Sequence, residues 1–214
     1  VASQNFGLLV YENGSFTGKS TELEQSNNAV VKYNYNATVL ENDAKKASCW
    51  VYVRNVGICK YSYQSAKLKI VYPLLMEVKC MKLSADATLW LGTDEGLYAF
   101  DTNSNSLSEN YLSNICTVTD ILIDKKKEMW VTTDGCGIYK VLSGNKKAVP
   151  FSFAKGKQFV KSNSIWSLNE DVAGNKWIGT EYKGLTKFDG TNWTVYDTTN
   201  SALPNNNVLS LVID

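Results

Sequence analysis

The sequence predicts an all-β propeller of four-stranded antiparallel blades, on three observations. A block of about 40 residues repeats along the chain. Four tryptophans fall in register in that repeat, at Trp50, Trp90, Trp130 and Trp177, and a glycine follows each of them six or seven residues later, at Gly57, Gly96, Gly137 and Gly184. Each block reads as short β-prone runs separated by turn residues, and blocks of this kind bury their faces only by packing sheet on sheet around an axis.

The repeat is clearest in LNEDVAGNKWIGTEYKGLTKFD (168–189), which can be laid over ILIDKKKEMWVTTDGCGIYKV, over KLSADATLWLGTDEGLYAFD and, more loosely, over LENDAKKASCWVYVRNVGICKY. Ile165 to Leu168 is strand A, and Asp171-Val172-Ala173-Gly174 is the turn after it. Trp177-Ile178-Gly179-Thr180 is strand B and Leu185-Thr186-Lys187-Phe188 strand C, joined by a tight turn whose glycine takes positive φ. Asp189-Gly190-Thr191-Asn192 then turns into strand D, Trp193-Thr194-Val195-Tyr196. The tryptophan of strand B is expected to plug the space between neighbouring blades. Asp43, Asp124, Asp171 and Asp214 recur at the A–B turn, where an aspartate caps its own backbone. Calcium is not expected there, because oxygen ligands at alternate positions are missing.

The ends of the chain fit the same register. Gly7-Leu8-Leu9-Val10-Tyr11 and the turn after it match strand C and the C–D turn of the last repeat, so Val1 lies at the start of a strand B. Asn206 to Asp214 repeats a strand A. The reading is a single domain over 1–214, with repeats at about 1–36, 37–76, 77–115, 116–162 and 163–205. Residues 206–214 would complete the first blade and close a five-bladed, monomeric ring without a free edge. The alternative is a stretch of a longer propeller array.

Composition narrows the function. Hydrophobic residues make up 44% and charged residues 20%, which suits a packed core. Lys plus Arg number 22 against 21 Asp plus Glu, so no net field draws in nucleic acid or an anionic membrane. Lys125-Lys126-Lys127 reads as a solvated turn. Histidine is absent, which removes the usual general base and the commonest transition-metal ligand. The five cysteines, Cys49, Cys59, Cys80, Cys116 and Cys136, include no CxxC pair and read as buried free thiols. No cofactor is expected. No run of about 18 apolar residues suggests a membrane span, and Val1 does not begin a charged-then-apolar leader.

NKWIGTEYKGLTKFD, TLWLGTDEGLYAFD and SALPNNNVLSLVID resemble the two-component regulator propeller repeat, with its Asn/Pro-rich lead-in, strand A, Asp turn and W-I-G-T-D-x-G-L. The resemblance implies a periplasmic or cell-surface sensing module of Bacteroidetes type that responds to oligosaccharides. No sandwich, kinase or DNA-binding segment accompanies the repeats. WD40 repeats match less well, lacking the Gly-His and Trp-Asp pairs here.

In a propeller the B–C turns share one face with the D–A loops, and ligands usually meet that face. Here the B–C turns carry Gln4-Asn5, Arg54-Asn55, Asp94-Glu95, Asp134 and Glu181-Tyr182-Lys183. Arg54, Asp94, Asp134, Glu181 and Tyr182 are therefore candidate ligand-binding residues, although an acid after Thr is also the repeat's own turn chemistry. Trp166, near the start of strand A, is a candidate stacking platform for a sugar, with core packing as its plainer role. Asn36 and Asn192 fit the glycosylation sequon, which carries no meaning in a bacterial protein. Binding without catalysis is the expected function, with oligosaccharide or another protein as partner. Asp94, Asp134 and Glu181 are the acids that a polysaccharide hydrolase or lyase would use.

Overall fold

The computed structural model describes residues 2–3, 7–12, 15–18, 22–24, 30–32, 37–65, 67–112, 115–142, 147–151 and 164–213, with side chains from residue 39 onward. Five sheets follow one another along the chain. The first contains β1 (Ala2–Ser3), β2 (Gly7–Glu12) and β3 (Ser15–Gly18). Next come β4 (Glu22–Glu24) and β5 (Val30–Lys32), then β6 (Ala37–Asp43), β7 (Ser48–Val53), β8 (Gly57–Ser62) and β9 (Lys67–Pro73). These six form one sheet in the order β5-β4-β9-β8-β7-β6. The third sheet is β10 (Val78–Leu83), β11 (Thr88–Thr93), β12 (Leu97–Asp101) and β13 (Ser106–Leu107). The fourth is β14 (Val118–Ile123), β15 (Met129–Thr133), β16 (Gly137–Val141) and β17 (Ala148–Pro150). The fifth is β18 (Ile165–Glu170), β19 (Lys176–Thr180), β20 (Leu185–Phe188) and β21 (Trp193–Tyr196). Sheets three to five each run in sequence order, as strands A to D of a blade.

The chain divides into two compact units, residues 1–91 with 99–107, and residues 92–98 with 108–214. Each unit packs blade on blade in the same way. In the first, Trp50 of β7 meets Phe100 of β12 edge to face at 5.9 Å. In the second, Trp130 of β15 meets Phe188 of β20 at 6.4 Å, with Phe151 4.7 Å away. Phe100 and Phe188 both stand four residues after the B–C glycine, so the repeat encodes the plug and its socket together. A lysine lies opposite the tryptophan on strand C in three blades: Lys60 over Trp50, Lys140 over Trp130 and Lys187 over Trp177, with the ammonium 5.1, 4.1 and 5.4 Å from the ring. Its aliphatic stem covers the ring and its charge rests on the π face.

The A–B turn follows expectation in two blades. Asp124 accepts the backbone N–H groups of Lys126 and Glu128, and Asp171 that of Asn175. Both also accept the indole N–H of their own blade's tryptophan, Trp130 at 3.0 Å and Trp177 at 2.9 Å. Asp43 departs from this. Seven residues rather than six separate it from its tryptophan, and the extra one folds into a 3-10 turn, Ala44–Lys46, in which Asp43 makes no side-chain cap.

Two features differ from the sequence reading. The segment between the first two blades supplies a hairpin, β4–β5, whose β4 pairs in parallel with β9 and so covers the outer edge of the second blade. At the other end, residues 206–213 form no strand, and the first sheet holds β1 to β3 alone. The expected closing strand is thus not formed among the described residues; Asp214 lies outside them. The physical reason is local. Val208 N–H donates to Thr180 O and Asn206 O accepts from Gly184 N–H, tying the segment to the fifth blade. Beyond Val208 the apolar residues find no ladder partner among the described residues, and Leu209 and Val212 are 63% and 85% exposed.

Candidate functional site

Strand B ends in threonine in three blades, and each hydroxyl closes the turn that follows. Thr93 Oγ1 donates to Gly96 O at 2.9 Å, Thr133 Oγ1 to Gly137 O at 2.7 Å and Thr180 Oγ1 to Gly184 O at 2.7 Å. All three threonines are buried. A fixed turn of this kind lifts the residues at its tip into solvent. Asp94 and Asp134 are exposed there, Glu181 is half-buried, and Tyr182 is 64% exposed.

Two hydrogen bonds of Thr117 in the second unit bring the Asp94 and Asp134 turns together. Thr117 accepts the N–H of Asp134 through its carbonyl at 2.9 Å, and its hydroxyl reaches Asp94 O at 3.4 Å. Asp94 and Asp134 thus flank one threonine. In the fifth blade, Glu181 N–H donates to Ser164 O at 3.1 Å, which sets the Glu181-Tyr182 turn against the start of β18. Tyr182 N–H is held by Asn207 Oδ1 at 2.7 Å, and the hydrogen bond and charge of Glu181 raise the Tyr182 phenol above its ordinary value.

Trp166 stands beside that turn. Ile165 pairs with Thr180 and Ser167 with Gly179, so Trp166 is the extra residue of a β-bulge and is left without a ladder partner. A bulge re-aims its side chain, and Trp166 is 38% exposed. Ile165 and Leu168, its neighbours on the strand, fill the core with Trp130, Ile138 and Ile178.

Arg54 lies in the first unit, where its guanidinium is paired with Glu77 and Lys79 Nζ is 3.1 Å from the same carboxylate oxygen. Lys79 and Arg54 hold the Glu77 carboxyl below its usual range. The structure therefore gives Arg54 a partner within its own unit. Gln4 and Asn5 lie outside the described residues, as does Asn36.

A disulfide joins Cys116 to Cys136, which corrects the reading of all five cysteines as free thiols. Cys136 sits on the B–C turn two residues after Asp134, and Cys116 immediately precedes Thr117, so the bond fastens the turn to the threonine between the two acids. Their separation of 20 residues carries no motif, and only the fold brings the two together. Cys49 and Cys59 remain buried thiols and Cys80 a half-buried one. No group of three or more metal-ligating side chains is found among the described residues.

The second unit presents carboxylates at Asp94 and Asp134 on turns braced by threonine and a disulfide, and on its fifth blade the Glu181 carboxylate, the Tyr182 phenol and the exposed Trp166 indole. It can accept hydrogen bonds from hydroxyls and stack on a flat apolar face. No family model matches the sequence, and no curated protein does. Solved structures do. The extracellular domain of a chain described as a hybrid two-component system of B. thetaiotaomicron is 19% identical, with a TM-score of 0.72, covering 96% of this chain and 27% of that one. PorZ, a surface component of the type-IX secretion system of Porphyromonas gingivalis, is 17% identical with a TM-score of 0.76, covering 99% and 34%. A virginiamycin B lyase from Staphylococcus aureus is 15% identical with a TM-score of 0.62, covering 86% and 60%. The chain spans about a third or less of the first two. At these identities the likeness is one of fold: this chain is a β-propeller of four-stranded blades, built like the extracellular domain of a two-component sensor, as its repeat resembles.

Proposed function

We propose that this chain is the sensing propeller of an extracytoplasmic receptor, that it binds without catalysis, and that it takes an oligosaccharide at the B–C turns of its second unit. The observation that carries the reading is Trp166: a large apolar ring, 38% exposed at a bulge of the strand whose start is bonded to the Glu181-Tyr182 turn. A sugar presents one apolar face and a rim of hydroxyls; an exposed indole can take the first, and a carboxylate and a phenol on the turn of the same blade the second. The Cys116–Cys136 disulfide supports an oxidising compartment. The extracellular origin of the similar two-component domain supports it further.

A glycan array followed by calorimetry on the best binder tests this. Trp166→Ala should weaken that glycan at least tenfold with the melting temperature little changed. Binding that is indifferent to both Trp166→Ala and Tyr182→Asn would place the ligand elsewhere. Glycan turnover by the wild-type chain that is lost in Glu181→Gln would replace sensing with catalysis.

A further inference from the structure

The A–B turns of the second and third blades line a half-open cavity of about 370 Å³ in the first unit. They lie at the end of the blade opposite the B–C turns. The volume falls in the range of ligand pockets, roughly 300–1,000 Å³. Asn42, Asp43, Lys45, Lys46, Leu83 and Ser84 are among its lining residues.

The corresponding space between the fourth and fifth blades shows what is missing here. There Asp124 faces Lys176 of the next blade at 3.1 Å, and the same ammonium reaches Glu170 at 3.0 Å. Lys176 immediately precedes Trp177; the residue immediately preceding Trp90 is Leu89. Glu170 stands seven residues before Trp177; the residue seven before Trp90 is Leu83. Asp43 keeps the carboxylate of Asp124 but loses both the lysine and the second acid. It is 5% exposed, it lines the cavity, and its side chain makes no cap hydrogen bond to the turn that follows it. Ser48 Oγ, on the residue paired with Asp43, and Trp50 Nε1 are buried without a hydrogen-bond partner among the described residues.

A buried carboxylate without a counter-ion is costly, and buried polar groups that lack partners call for an explanation. For Asp43, a bound cationic group supplies the counter-charge that Asp124 takes from Lys176. We propose that this cavity is a binding site for a small zwitterion, whose ammonium takes on Asp43 the place that Lys176 Nζ holds on Asp124, and whose anionic group meets Lys45 and Lys46. The extra turn residue makes the site: it turns Asp43 away from its own indole and carries the two lysines onto the rim. This inference stands apart from the oligosaccharide reading, since its residues belong to the other compact unit.

Three probes of one length separate the charges: 4-aminobutyrate, n-butylammonium and butyrate, each titrated into the full chain while amide NMR shifts of residues 43–48 and 83–88 are followed. Saturable shifts with 4-aminobutyrate are expected, with n-butylammonium at least fivefold weaker and butyrate weaker still. Asp43→Asn, which keeps the shape and removes an uncompensated charge, should lower the affinity of both amines tenfold or more. Leu89→Lys, which builds the ammonium into the fold as Lys176 does, should abolish binding. Trp166→Ala should leave these shifts unchanged. Butyrate binding as well as 4-aminobutyrate, amine binding indifferent to Asp43→Asn, or no saturable shift with any probe would overturn the proposal.

Discussion

Lys176 Nζ stands 3.1 Å from Asp124 Oδ2, so a lysine of the fifth blade is bonded to a buried carboxylate of the fourth. Its bond to Glu170 makes a triad, and Lys125 returns the contact by donating its backbone N–H to Glu170 Oε2 and its ammonium to the carbonyls of Asp171 and Val172. Such a triad specifies which blades meet more than it stabilises them, because three charges have left water. Removing one member leaves the others uncompensated. Lys176→Met is expected to cost about 3–5 kcal/mol, and Lys176→Met combined with Asp124→Asn and Glu170→Gln markedly less. Urea titration of the two variants checks this; equal losses would mean that the lysine's packing matters more than its charge.

Acid should act through the same contact. Burial alone would raise the Asp124 carboxyl, but the Trp130 indole, the Glu128 backbone N–H and Lys176 outweigh it and hold it below the ordinary carboxylate range. A carboxyl depressed in the folded state contributes stability that is fully present above its unfolded value, about 3.9, and loses it as pH falls through the folded value. The advantage of wild type over Asp124→Asn should therefore be constant from pH 7 to about 5 and shrink below about 4. Unfolding midpoints of both proteins at pH 6, 4 and 3 decide it, and an advantage that grew on acidification would refute the assignment.

The blade pattern was legible because its signals are local. A tryptophan, a glycine and an aspartate at fixed spacing state the strand order and the plug, and Trp50–Phe100 and Trp130–Phe188 follow from them. What the repeat could not announce depends on departures from it or on contacts across it. The extra residue after Asp43 is visible in the sequence, but that it leaves the Asp43 carboxylate without a cap bond to its turn is a matter of geometry. Cys116 and Cys136 meet only because a B–C turn folds back on the start of its own strand A. The outward aim of Trp166 depends on a bulge that alternation in the strand does not show. Residues 206–213 carry a strand's pattern but join no sheet among the described residues, since pattern licenses pairing without supplying a neighbour.

The disulfide should be a measurable share of stability. A loop of 20 residues gives roughly 3 kcal/mol in the chain-entropy model. Cys116→Ser with Cys136→Ser is expected to lose about that much and to remove any effect of reductant on the melting temperature. Thiol counting gives an independent test: Cys49 and Cys59 are buried, and burial pushes the Cys59 thiol up to about 12, so in the folded state Cys80 should react first. A reductant-insensitive melting temperature in the wild type would exclude the bond.

Two glycines of the last repeat are fixed by space. Gly184 has φ +79, and a Cβ there would lie 2.1 Å from Tyr196 O; one at Gly179 would lie 2.4 Å from Ser167 Oγ and 2.5 Å from Val208 O. Gly184→Ala meets backbone in a conformation that alanine resists, so it is expected to cost about 2 kcal/mol or more. Gly179→Ala should instead push Val208 away and loosen the segment after it. Hydrogen exchange at Val208, whose N–H is bonded to Thr180 O, should quicken in Gly179→Ala well beyond any change in global stability. Uniform acceleration across the fifth blade would contradict that local account.

Tyr182 carries the sharpest test of whether its turn is kept for binding. It holds φ +63 without being glycine, and the ring it presents is mostly in solvent, so packing does not repay the conformation. A bulky residue in the left-handed region costs on the order of 1 kcal/mol, and asparagine tolerates that region better. Tyr182→Asn is therefore expected to leave the fold intact and raise its stability by up to about 1 kcal/mol. If the exposed phenol, bonded to Glu181, serves a ligand, the same variant should lose several-fold in affinity for any glycan whose binding Trp166→Ala weakens. Paired melting and calorimetry on one preparation settle both halves: a variant that is less stable, or one that binds as wild type does, would show that the strained tyrosine is not there for the ligand.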